Sequence, residues 1–224
     1  HGCISMREDG EFRCFDVDGQ SFAGKAFLDR VDRLARQGYF DIGNPEQKLY
    51  GMDTLWFLWC APQSPLFGKE KMATFERYFL ADKSTHVEKR NAYYALRDQE
   101  ETARKILLEF GLNPDTGFII NGHVPVKVSK GERPIKANGR LIVIDGGFSR
   151  AYQKDTGIAG YTLISNSREL LLAAHQPFES RQKAVSEAVD IDTETEVIYT
   201  YPERLLIGDT DRGREFQQQI DELH

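Results

Sequence analysis

Two changes of pattern predict an α/β protein with a mainly helical first part and a mixed sheet after it. Up to about residue 116, apolar residues recur at three- and four-residue spacing, the period of a helix with one buried face. From Gly117 onward the apolar and β-branched residues come in short runs separated by turns. Too little chain lies between most of these runs for a helix in each connection, so antiparallel or mixed pairing is expected. The division is placed at residues 1–116 and 117–224.

The elements follow in order. Residues 11–18 alternate weakly through Phe12, Cys14, Phe15 and Val17, which fits either a strand or an irregular segment. Residues 24–38 form a helix with Phe27, Leu28, Val31, Leu34 and Ala35 on one side, and Gly38 as its stop. Residues 50–60 are the most aromatic stretch and run into a rigid turn containing Pro62 and Pro65. Trp56 and Trp59 are expected in the core, although aromatics at this spacing also suit a sugar or partner surface, and Asp53 is a candidate cap. Residues 69–80 again show helical spacing through Met72, Phe75, Tyr78 and Phe79. Residues 87–110 read as one long helix closed by Gly111, with Ala103, Ile106, Leu107 and Phe110 inward and a polar middle, 97–102, solvated or broken. Strands are expected at 118–120, 141–144, 161–164, 169–174, 197–201 and 205–207, and a last helix near Arg214.

Apolar residues make up 40% and charged residues 29% of the 224 residues, the balance of a soluble globular chain. A net charge of -6 provides no long-range attraction to nucleic acid or an anionic membrane. No apolar run is long enough for a membrane span. The three cysteines, Cys3, Cys14 and Cys60, lack metal-knuckle spacing and are expected to be reduced thiols in a cytoplasmic protein.

Two histidines stand in loop-like positions. His123 follows the run Phe118-Ile119-Ile120 in Asn121-Gly122-His123-Val124-Pro125, with Gly122 free to take an unusual backbone angle and Pro125 stiffening the exit. An imidazole there suits a metal such as manganese, zinc or iron, its second nitrogen fixed by a hydrogen bond, and equally suits a local cap. His1, in His1-Gly2-Cys3-Ile4, has the same chemistry with less context. Asp145, beside Gly146-Gly147, either supports a ligand or accepts hydrogen bonds from the glycine turn. His175, ending an apolar run, is either a supporting residue or a strand-end histidine satisfied by the backbone.

Lys127, Lys130, Arg133, Lys136 and Arg140 form a basic stretch just after His123, and Arg150 is a further cation. Arginine contacts phosphate through two parallel N–H groups and lysine as a mobile point charge, so this stretch is either a phosphate site or a solvated loop. Gly208-Asp209-Thr210-Asp211-Arg212-Gly213 resembles the Gly-Asp-x-x-Asp-Arg-Gly loop of metal-dependent phosphoesterases, but has one residue fewer between its two pieces. It is read as a strand-to-helix turn with Asp209 or Thr210 as the cap.

Taken in order, His1-Gly2-Cys3-Ile4, Leu58-Trp59-Cys60, Ser64-Pro65-Leu66-Phe67-Gly68-Lys69, Asn121-Gly122-His123-Val124-Pro125 and Ile144-Asp145-Gly146-Gly147-Phe148 resemble the class III fructose-1,6-bisphosphatases, bacterial members of the calcineurin-like metallophosphoesterase superfamily. The resemblance covers essentially the whole chain and places it in the C-terminal portion of such an enzyme. It implies a partial metallophosphoesterase-like α/β sandwich, with a helical insertion in 1–116 and the strand-rich C-terminal part of the phosphoesterase domain in 117–224. It also implies a gluconeogenic phosphatase that removes the 1-phosphate of fructose 1,6-bisphosphate with two manganese ions, which would activate a bridging water for in-line attack.

His1 and His123 match the family's His-Gly and Gly-His ligand turns. Lys127, Lys130, Arg133, Lys136 and Arg150 are candidate phosphate contacts, with Asp145 and His175 as supporting residues. The remaining family ligands lie in motifs not found before His1, so partnership with a missing N-terminal part is expected, and the isolated chain is expected to be nearly inactive. Homo-oligomerisation is a further expectation. The competing readings are a non-catalytic regulatory or assembly domain, and a metallophosphoesterase for another phosphate ester.

Overall fold

In the computed structural model the described residues are 3–61, 64, 66–147, 149–178, 180–188 and 193–223, without the Arg150 side chain. His1 therefore lies outside the described residues. The architecture is mixed α/β, and the chain divides into two compact units, His1–Ile119 with Lys136–Leu141 and Ile120–Ile135 with Ile142–His224.

The first unit opens with a hairpin of β1 (Phe15–Val17) and β2 (Gln20–Phe22), antiparallel and paired Val17 to Gln20. The two residues between them, Asp18 and Gly19, both have positive φ, 53° and 74°. That is the backbone a two-residue hairpin turn needs to match strand twist, and Asp-Gly supplies it at little cost. Helix α1 (Gly24–Phe40) buries Phe27, Val31 and Leu34, at the expected spacing. Helix α2 (Pro45–Cys60) starts at Asn44, whose side-chain oxygen accepts from the Glu46 and Gln47 N–H groups at 3.1 Å, with Pro45 in the first turn.

The two helices cross at Gly38 and Gly51. A Cβ added at Gly51 would lie 2.3 Å from the Gly38 nitrogen, so backbone meets backbone and neither position has room for a side chain. Gly38 is thus a packing residue inside α1, where the sequence suggested a helix stop. Asp53 lies within α2 and caps nothing there. Trp56 and Trp59, expected in the core, are 63% and 74% exposed. α1 covers α2 mainly along the line of Gly51 and Leu58, and the other apolar faces of α2 face outward within this unit.

Residues 69–80 do not form one helix. Only α3 (Thr74–Phe79) is helical, because Lys69 pairs in a short antiparallel bridge with Arg90. Residues 87–110 are also divided, into α4 (Tyr93–Leu96) and α5 (Glu100–Glu109). The break falls in the expected polar middle, yet Arg97 and Thr102 are buried there rather than solvated. α5 buries Thr102, Ala103, Ile106 and Leu107, and one core cluster joins Ile106 to Tyr93, Cys3 and Met6.

Strands β3 (Ile119–Asn121), β4 (Ile135–Lys136) and β5 (Leu141–Val143) form a sheet in the order β3-β5-β4. In the second unit, α6 (Arg150–Thr156) precedes an antiparallel sheet of β6 (Gly160–Ser165), β7 (Glu169–His175) and, after α7 (Arg181–Ser186), β8 (Thr193–Thr200). The strand order β6-β7-β8 is antiparallel throughout, as expected, but only β6 and β7 are joined by a short connection; the longer link from β7 to β8 carries α7. The expected strand at 205–207 is absent: Ile207–Asp209 is a short 3-10 turn that leads to α8 (Asp211–Asp221). Thr210 caps α8, its hydroxyl accepting from the Gly213 N–H at 3.0 Å.

Candidate functional site

The two strings that carry His123 and Asp145 are joined by backbone bonds. Ile144 N–H donates to the Asn121 carbonyl at 2.9 Å, and Val126 N–H donates to the Asp145 carbonyl at 2.8 Å. Between those rungs, Val124 N–H donates to the Gly122 carbonyl at 2.8 Å, closing a three-residue turn centred on His123. His123 has φ 66°, so this is the rarer γ-turn form, strained for a residue with a Cβ. The sequence placed the unusual backbone angle on Gly122; the structure places it on His123, and a Cβ at Gly122 would meet nothing within 4 Å. His123 is exposed at the tip, and Val126, at the end of the turn, is only 2% exposed.

Asp145 Oδ1 accepts from the Gly147 N–H at 2.8 Å, so the carboxylate shapes the glycine turn beside it. Gly146 presses against the start of β6: a Cβ there would come 2.6 Å from Gly160 Cα. The side chain of Asp145 is thereby held at a fixed point of the loop that follows β5.

The basic residues part company. Lys136 belongs to the first unit, where its Nζ is 2.9 Å from Asp98 Oδ2 and its side chain is 13% exposed. Arg133 belongs to the second and lies 3.2 Å from Glu196 Oε1. Lys127 and Lys130 are in the second unit on either end of a tight turn, and among the described residues neither ammonium group has a carboxylate partner. Glu132, a residue the sequence reading passed over, accepts the Lys127 backbone N–H at 3.0 Å and fixes this turn. Arg140 stacks its guanidinium over Phe118, 5.4 Å from the ring centre.

His175 ends β7 with both ring nitrogens near hydroxyls, Thr162 Oγ1 at 2.7 Å and Thr193 Oγ1 at 3.1 Å. These threonines sit on the strands either side, so their roles follow only from the register. Among the described residues no group of three histidine, cysteine, aspartate or glutamate side chains is placed to hold a metal ion. A metal centre needs several such donors, so the described residues do not by themselves fit manganese.

A family model described as Firmicute fructose-1,6-bisphosphatase matches residues 1–224. The chain is 56% identical over 225 residues to "Fructose-1,6-bisphosphatase class 3" of Alkaliphilus metalliredigens (strain QYMF), covering all of this chain and 34% of that protein. It is 54% identical over 223 residues to the protein of the same name from Clostridium botulinum (strain Kyoto / Type A2), with 33% of that protein covered. For the Clostridium novyi (strain NT) protein the identity is 52% over 223 residues, with 34% covered. The chain thus spans about a third of the length of the curated relatives it matches. No solved structure matches it. With every one of its residues inside the family match, the chain belongs to the Firmicute fructose-1,6-bisphosphatase family.

Proposed function

We propose that this chain is one segment of a class III fructose-1,6-bisphosphatase, a cytoplasmic enzyme of gluconeogenesis that hydrolyses the 1-phosphate of fructose 1,6-bisphosphate. The family match along the whole chain carries this reading. The turn geometry supports a role for His123: its backbone is held in a strained conformation at an exposed tip, where an imidazole can reach a ligand outside the segment. His123, with His1, would contribute imidazole donors to a manganese centre whose other ligands lie elsewhere in the enzyme. Asp145 supports the turn through its backbone bond to Val126.

Lys127 and Lys130 are the best placed of the basic residues to receive phosphate charge. A phosphate at Arg133 or Lys136 would compete with Glu196 or Asp98. Arg150 opens α6 and remains a candidate by position. The metallophosphoesterase-like sandwich would be completed by the rest of the enzyme, and this chain alone would turn over substrate poorly.

In the full-length enzyme, His123→Ala should lower both bound manganese and turnover by at least tenfold, given that removing a metal-supporting group typically costs about 10–100-fold. Metal analysis and a phosphate-release assay on the same sample check this; unchanged occupancy and turnover reject the ligand role. A second reading, a non-catalytic assembly segment, draws on the exposed aromatics of α2 and α3, among them Trp59 at 74%, Phe75 at 74% and Tyr78 at 79%. It requires a full-length protein that holds no metal at His123, and the same metal analysis separates the two.

A further inference from the structure

The first unit contains a cavity of about 970 Å³ lined by none of the residues discussed above as site candidates. Its wall joins three stretches of chain that are far apart in sequence. The Asn91 side-chain oxygen accepts from Met6 N–H at 3.1 Å and from Tyr93 N–H at 2.9 Å. Asn91 N–H donates to the Gly68 carbonyl at 2.9 Å, and Glu70 N–H to the Lys89 carbonyl at 2.9 Å. These bonds fix the Lys69 and Arg90 segments side by side and seat them against the residues around Met6.

The cations in this wall are committed unequally. Lys69 Nζ lies 2.8 Å from Glu88 Oε2, with both side chains largely buried. Lys89 reaches Glu70 at 3.3 Å and Glu8 at 3.6 Å, and Arg7 pairs with Asp9. Arg13 and Arg90 differ: their guanidinium carbons lie over Phe15 and Tyr94, 5.4 and 5.6 Å from the ring centres, and among the described residues neither has a carboxylate partner. A guanidinium stacked on a ring keeps its N–H edge open, and that edge matches the oxygens of a phosphate. A cleft with an apolar floor and a few convergent charged groups is the usual form of a small-molecule site.

We infer that this cavity binds a small molecule bearing a phosphate group, with Arg13 and Arg90, each backed by an aromatic ring, taking the phosphate. Two arginines favour phosphate over carboxylate, because a phosphate has enough acceptor oxygens to engage both forks at once. This assignment stands apart from the proposed role of His123.

The test is calorimetric titration of the purified protein with inorganic phosphate in EDTA, which removes any metal-bound phosphate from the signal. Arg13→Ala and Arg90→Ala should each weaken phosphate binding about tenfold, the factor that about 1.4 kcal/mol corresponds to. Arg90→Lys should fall between, and His123→Ala should leave the affinity unchanged. Undiminished phosphate binding in both arginine variants overturns the assignment, as does acetate binding equal to phosphate, or loss of phosphate binding in His123→Ala. Fructose 1,6-bisphosphate added as competitor then identifies the source of the group. Displacement of phosphate marks the pocket as a substrate subsite, and persistence marks a separate phosphorylated ligand; either result upholds the anion site when it depends on Arg13 and Arg90.

Discussion

The turn at residues 121–126 is made from consecutive residues braced by Ile144 and Asp145, whereas the cavity in the first unit is walled by residues near 6, 13, 69 and 90. The turn presents its chemistry on a single exposed side chain held at an unfavourable backbone angle. Among the described residues lining the cavity none but glycine has a positive φ; its character comes from which cations have carboxylate partners there and which do not. One region stores function in local conformation, the other in long-range assembly. A substitution should therefore act through backbone angle in the turn and through lost cross-segment bonds around the cavity.

The largest expected stability effect is at Asn91. Asn91→Ala removes the acceptor for two backbone N–H groups, those of Met6 and Tyr93, and should cost about 2 kcal/mol by urea denaturation, the penalty for stranding such groups. A loss below about 0.5 kcal/mol would show that water replaces the side chain, and the cavity wall would then be less tightly assembled than its bonds indicate.

A smaller effect separates two substitutions at the turn. His123→Asn should be tolerated, since asparagine takes the left-handed region readily, while His123→Val should be about 1 kcal/mol less stable. Equal stability of the two variants would remove the strained turn from the comparison and leave His123 an ordinary loop residue.

The third expectation changes nothing at neutral pH. Burial in the cavity wall raises the Tyr94 phenol to about 12, with the neighbouring Cys3 adding to the effect. The half-buried neutral phenol contributes its stability fully below the ordinary tyrosine value of about 10, and that contribution is lost as pH rises through the folded-state value. Ultraviolet titration should thus show one of the nine tyrosines ionising last, and Tyr94→Phe should remove that late step. A late step that survives the substitution would assign the buried phenol elsewhere.

Much of the helix and strand pattern was legible because it rests on periodicity. The inward face of α1 and the antiparallel pair β6-β7 follow from spacing and a short connection. A cap at Asp209 or Thr210 was readable because capping acts over three residues, and the structure selects Thr210. The split of residues 87–110 was signalled by polar residues at 97–102, but their burial was not. Lys69 was misread as helical because its bridge partner, Arg90, is 21 residues away and sequence spacing carries no record of it.

The candidate site divides in the same way. Sequence alone determined that His123 sits at the end of a short strand, that a glycine turn follows Asp145, and that Thr210 can open the last helix. The family membership was legible from ordered strings for the same reason, each being a local run of residues. Tertiary structure decided that the strained angle falls on His123 rather than Gly122, that Lys136 is drawn to Asp98 and Arg133 to Glu196, and that His175 meets Thr162 and Thr193. It also decided that Arg13 and Arg90, far apart in sequence, line one cavity with no carboxylate partner among the described residues. Capping, turns and periodicity act within a few residues and leave their mark in sequence order; ion pairing and cavity walls depend on distances that only the folded chain sets.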